Sequence, residues 1–272
     1  MSRTVQRMST LPVTEPLPIF ARTCQASVLI GRSLTHLREY GRVGKPRDAP
    51  INEDEATQLS DELATMCRVI KADATATSAP GSSSSPAAVA TASSAAPSAS
   101  SPPATQEEQQ QRYLARVTAL CLAYSGLLMT LDAYSCPESF KDSCVVTREL
   151  AEQEARLQMR AVEAMKVAAA DVREIGRTLL LLIGGETDGM DTGLGPSQGL
   201  TNLNLSRISP LAFDSMYAAA ATLHWVWNET GDLEAEAGVS VLRQCLAAVG
   251  RRWRLGNEYL HILSESAHAL HK

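Results

Sequence analysis

Between residues 143 and 183 apolar side chains return at spacings of four and three. Leu157, Ala161, Met165, Ala168, Val172, Ile175, Leu179 and Leu182 form the run. A strand face repeats every two residues, whereas a helix turns every 3.6, so this set makes one apolar stripe only on a helix. Small residues within the stripe fit packing inside a bundle better than a coiled-coil seam, the other use of such spacing. Composition points the same way. Aromatic residues make up only 4 % of the chain and alanine is common, which favours helix over sheet.

The rest of the chain follows this lead. Residues 19–40 predict a helix with Phe20, Cys24, Val28, Leu34 and Leu37 as its apolar positions and Gly41 as its stop. Residues 44–51 read as loop. Residues 53–71 predict a second helix with Leu59, Leu63, Met66 and Ile70 on one face. Residues 73–105 are nearly all Ala, Ser, Thr and Pro, with Asp73 as their only charge. Such a segment has too little large apolar surface to offset its conformational entropy, and it reads as a disordered low-complexity linker. Helix resumes over 106–134, with Tyr113, Val117, Leu120, Tyr124, Leu128 and Leu131 as its stripe and Pro137 beyond its end. Residues 184–204 read as a Gly-rich loop. A helix over 210–229 is opened by Ser209 as N-cap and Pro210 at its first position, and Gly231 ends it. Helices over 232–250 and 254–268 complete the pattern. The expected fold is all-α, six or seven helices in an irregular bundle. The expected organisation is a flexible N-terminus (1–18), N-terminal helices (19–72), the linker (73–105) and a main helical part (106–272).

Charge and cysteine usage exclude several functions. Residues 1–47 carry eight Arg or Lys against Glu15 and Glu39, and residues 48–62 hold six acids and no base. The net charge is −5, so the whole chain is no electrostatic match for nucleic acid. Cys24, Cys67, Cys121, Cys136, Cys144 and Cys245 are scattered, with no Cys-x2-Cys pair. That removes a zinc site built from such pairs and leaves buried, reduced thiols as the expectation. No apolar signal region follows Met1, and the aliphatic burst Leu179 to Ile183 is too short to span a bilayer. The Arg-rich start is similar to a mitochondrial transit peptide, but Pro12, Pro16 and Pro18 oppose the amphipathic helix such a peptide needs. No membrane role is expected.

Motifs that carry chemistry are sparse. Gly193-x-Gly195-x-x-x-Gly199 lacks the preceding strand and following helix of a phosphate cradle. Glu258-x-x-His261 and Glu265-x-x-His268 have the spacing of di-iron ligands. Both pairs fall on one helix, about 10 Å apart along its axis, so they cannot share one metal pair. His224, beside Trp225 and Trp227, reads as a structural histidine. No nucleophile motif is present, and neither a catalytic residue, a metal nor a cofactor is expected. Arg243, Arg251, Arg252 and Arg254 raise the question of DNA reading. From Leu205 onward, however, six basic residues face seven acidic ones, and DNA affinity comes mostly from a net basic field. Leu242, Leu246, Val249 and Trp253 instead space as a core stripe, with the arginines pairing around it or stacking on Trp253.

Two segments carry a resemblance. "SPLAFDSMYAAAATLHWVWNETGD" (Ser209 to Asp232) and "LRQCLAAVGRRWRLGNEYLHILSE" (Leu242 to Glu265) resemble the C-terminal end of the fungal-specific transcription factor domain of fungal binuclear zinc-cluster regulators. "FARTCQASVLIGRSLTHL" (Phe20 to Leu37) is similar to a helix of the same domain. The match covers roughly 60 C-terminal residues and, more weakly, the first helix. The residues that carry it, in structural or interaction roles, are Tyr217, Trp225, Arg251, Arg252, Trp253, Arg254, Glu258 and Tyr259. The resemblance implies a nuclear, all-helical regulatory domain that is not an enzyme. Its implied partners are proteins of the transcription machinery or a full-length homologue. Members of the family bind DNA through a cluster of six cysteines. This chain holds no Cys-x2-Cys-x6-Cys unit, so no zinc ligand carries over and no direct DNA binding is expected of it. A helical scaffold unrelated to transcription is the alternative.

Overall fold

The computed structural model describes residues 12–40, 53–78, 105–135, 148–184 and 208–270. Among them are seven α-helices and no strand: α1 (Ile19–Tyr40), α2 (Glu53–Ser78), α3 (Gln106–Ser135), α4 (Arg148–Gly184), α5 (Phe213–Thr230), α6 (Leu233–Gly250) and α7 (Arg254–Leu270). The all-α expectation holds. The Gly-rich loop, Cys136, Cys144 and residues 79–104 lie outside the described residues.

The centre of the molecule is α3, which packs against α1, α2, α4 and α5. Its sequence explains this position. From Val117 to Leu131 it is apolar almost all round, and Val117, Ala119, Leu120, Cys121, Leu122, Ala123, Tyr124, Leu127, Leu128 and Leu131 are all buried. A helix apolar on every face must be surrounded. Residues 107–135 are long and apolar enough to cross a membrane by composition, but 78 % of their most apolar window is buried inside this domain. The stripe read from the sequence was therefore only part of a fully covered helix.

The other stripes fall where the periodicity put them. Leu59, Leu63, Met66 and Ile70 of α2 are completely buried. Each such side chain contributes roughly 1.5–3 kcal/mol. Along α4 every stripe residue is buried except Ile175, which is half-buried against the core. α4 joins the two ends of the chain, packing on α3 and also on α5 and α6. The α2 backbone stays helical to Ser78, six residues into the segment expected as linker. Alanines alternate with threonines there, and alanine sustains a helix.

Caps define α5 and α6. Ser209 Oγ accepts a hydrogen bond from Leu211 N at 3.3 Å and opens a short 3-10 turn, Pro210–Ala212, that feeds α5. Gly231 ends α5 at φ +68°, and its N–H donates to the Trp227 carbonyl at 2.7 Å. That left-handed conformation suits glycine. Asp232 then caps α6, its carboxylate accepting from Glu234 N at 2.8 Å.

The first helix corrects the sequence reading. Its buried face is Arg22, Gln25, Ala26, Leu29, Ser33 and His36, whereas Phe20 and Leu34 are 76 % and 53 % exposed. The periodicity argument assumes that the inward face is apolar. Here it is largely polar, and several of its groups have partners, while Arg22 Nε and the Ser33 hydroxyl have none among the described residues. Arg22 donates to the carbonyls of Val13 at 2.5 Å and Glu15 at 2.6 Å, and to Gln25 at 3.0 Å. His36 bridges α2 and α3, meeting Glu55 at 3.1 Å and the Tyr134 hydroxyl at 2.5 Å. Paired in this way, polar groups tolerate burial. The same bonds anchor the start of the described residues, where 12–15 form a turn held by the Arg22 guanidinium; residues 1–11 of the expected flexible N-terminus lie outside them.

Candidate functional site

The residues that carry the resemblance lie at the C-terminal end of the bundle, where α5, α6 and α7 pack together. Tyr217 on α5 stacks on Tyr259 on α7, with ring centroids 4.8 Å apart and planes 15° from parallel. The Tyr259 hydroxyl donates to Asp214 at 3.2 Å. Burial and the Asp214 carboxylate push that phenol up to about 12, so it stays a donor. The joint between α6 and α7 is tight because it is built on glycine. A methyl on Gly256 would lie 2.8 Å from the Leu246 carbonyl oxygen and 2.9 Å from Gly250 N. Asn257 closes the corner by donating to the Gly250 carbonyl at 3.1 Å.

The arginines decorate this corner. Leu242, Leu246 and Val249 are completely buried, as their spacing predicted, and Trp253 is half-buried. Arg243 donates to Ser264 on α7 at 3.0 Å. Arg254 pairs with Glu258 one turn on, at 2.8 Å, a surface contact of the kind that adds little stability. Arg252 lies 5.8 Å from the Trp253 ring, within cation–π range. Arg251 is exposed in the turn between the two helices.

Trp225 belongs elsewhere. With Tyr217 it lines a groove of about 500 Å³ between α3, α4 and α5. α3 supplies Ser125, Leu128, Met129, Asp132 and Ser135, at offsets 0, 3, 4, 7 and 10, and so presents one helical face. α4 supplies Met165. α5 supplies Asp214, Tyr217, Ala218, Ala221, Thr222 and Trp225, again one face. Among the described residues the groove thus has apolar and aromatic walls, two carboxylates and no base. Ser125 is only 7 % exposed, and its hydroxyl has no hydrogen-bond partner. Asp214 is engaged by Tyr259. The Asp132 carboxylate has no partner among the described residues, and although Asp132 reaches the surface, partial burial raises its carboxyl above the usual range. Sequence reasoning missed Ser125, Asp132, Met165 and Asp214. A signal for one of them existed: Asp132 is the only charged residue between 117 and 135, an acid inside an otherwise apolar helix.

Two other cavities differ in character. One of about 780 Å³ is lined mainly by charged and polar side chains, including Asp54 and Asp61, with Arg32 and Glu62 paired across it at 2.6 Å. The other, about 470 Å³, holds Cys67, Lys71, Tyr124 and Asp171. There Tyr124 donates to Asp171 at 2.6 Å and Lys71 pairs with the same carboxylate at 2.6 Å. Burial pushes the Cys67 thiol up strongly, and a nucleophile needs the opposite shift. Cys121 and Cys245 are likewise buried thiols, pushed up by burial to about 11 and about 12. His224 contacts Asn228 at 3.2 Å. Glu265 meets His261 at 3.4 Å. No three His, Cys, Asp or Glu side chains among the described residues come together as a metal site.

Among the described residues one helix, 107–135, has the length and hydropathy of a membrane span, and it is the central core helix described above. Compared with known proteins, the chain matches no protein-family model, no curated protein and no solved structure.

Proposed function

We propose that this chain is the regulatory, non-DNA-contacting helical domain of a fungal zinc-cluster-type transcription factor, acting in the nucleus through protein or effector contacts. The observation that carries the reading is the convergence of the two resembling segments. Residues more than 40 positions apart in sequence meet in one stacked pair, Tyr217 on Tyr259, with Asp214 anchoring the phenol. The arginines beside this pair are partly engaged within the domain, by Ser264, Glu258 and Trp253. Their surroundings are net acidic, a poor field for phosphate. The reading rests on these residues and their placement; the comparisons add nothing to it.

The test is to follow a tagged chain in a fungal cell and, in parallel, to titrate it with labelled DNA at moderate salt. The proposal expects nuclear accumulation and no sequence preference on DNA. Exclusion from the nucleus contradicts the regulator. Tight, sequence-selective binding contradicts the non-contacting role.

A further inference from the structure

We propose that the groove between α3, α4 and α5 is a binding site for a small organic cation with an apolar body, such as an arylalkyl amine. Three observations carry this. The size of the groove, about 500 Å³, lies within the usual range for small-molecule sites. Its walls are apolar and aromatic, formed by Leu128, Met129, Met165, Ala218, Ala221 and Trp225. Among the described residues its polar groups are of one kind: carboxylates and hydroxyls, with no Lys, Arg or His in the lining. An anion would meet Asp132 and Asp214 with nothing to neutralise it. A cation meets the Asp132 carboxylate, which no described residue engages, and an aromatic face at Trp225. The Ser125 hydroxyl, buried and without a partner among the described residues, supplies a polar contact that they leave unused. Buried polar groups are normally satisfied, so an orphan lining a groove marks a place for a ligand atom.

Asp132 also bears the signature of a group kept for binding. It is the only charged residue between 117 and 135 of the central helix, and its carboxyl is raised by desolvation. The other cavities lack these features: in each, an ion pair is already made inside the protein.

The test uses the full chain and three probes of one shape: 4-phenylbutylamine, 4-phenylbutanol and 4-phenylbutyrate, titrated calorimetrically near neutral pH. The amine should bind saturably and about 10-fold or more tighter than the carboxylate, the discrimination expected of one close charge contact. Asp132→Asn should remove most of the amine's advantage and leave the alcohol's affinity unchanged. Trp225→Ala should weaken all three. Equal affinity for amine and carboxylate, or no saturable binding of the amine up to about 10 mM, the weak end for a ligand of this size, overturns the proposal. So does an Asp132→Asn chain that binds the amine as well as the parent. The comparison among probes needs no variant, so a misfolded substitution cannot obscure it. Binding is read on the isolated chain, so this proposal stands or falls independently of any role in transcription.

Discussion

Gly256 shows how little room one residue leaves at the corner between α6 and α7. The atoms that a Cβ there would strike, the Leu246 carbonyl oxygen and Gly250 N, are backbone. Backbone cannot step aside as a rotamer can. Gly256→Ala should therefore cost about 1–3 kcal/mol or more by overpacking. Urea unfolding should show a lower midpoint with an unchanged slope; an unchanged midpoint would mean that the helices are not so close. Asp132 makes the opposite case. A carboxyl whose pKa is higher in the folded state than in the unfolded one takes up a proton on folding. Its ionised form costs stability above that raised value, and the cost disappears below the ordinary carboxylate range, where both states are protonated. Asp132→Asn should thus raise the melting temperature slightly near neutral pH, with the gain gone by about pH 3. A melting temperature that drops at neutral pH would show the carboxylate to be stabilising. Asp214, the other acid of the groove, is unaltered in both chains and adds the same background.

At the scale of elements, seven helices were legible because their signals were local. Four- and three-residue spacing, Ser209-Pro210 and Gly231 each act within a few residues; Gly231 ends α5 as read, and Ser209 caps the 3-10 turn that leads into it. The orientation of α1 was not legible. Its inward face is held by partners distant in sequence, Glu55 and Tyr134 for His36 and a preceding turn for Arg22. No periodicity reports such partners. A direct check follows. Phe20→Ser and Leu34→Ser should each change stability by no more than about 0.5 kcal/mol, as surface substitutions do. Leu29→Ala, on the buried face, should cost about 2–5 kcal/mol. The reverse order in chemical denaturation would restore the face read from the sequence.

On the scale of the whole molecule, α3 and α4 hold the chain together. The N-terminal helices reach α3 from one part of the chain, while α5 and α6 pack on α4, and the buried side chains form one continuous core. The candidate groove is a product of this assembly. Its walls come from three helices, so the sequence could show an odd acid at Asp132 but not the cavity around it, nor that Trp225 and Ser125 would share it. Three of the four corner arginines have partners inside the domain, namely Ser264, Glu258 and the Trp253 ring. What the domain does with its groove and its stacked joint is best tested in a cell. The chain is fused to a heterologous DNA-binding domain and placed upstream of a reporter in a fungal host, beside a Trp225→Ala version expressed at the same level. The account predicts that the tethered chain changes reporter transcription severalfold and that the substitution blunts the change. A reporter indifferent to the tethered chain, at equal nuclear abundance, would contradict a regulatory role.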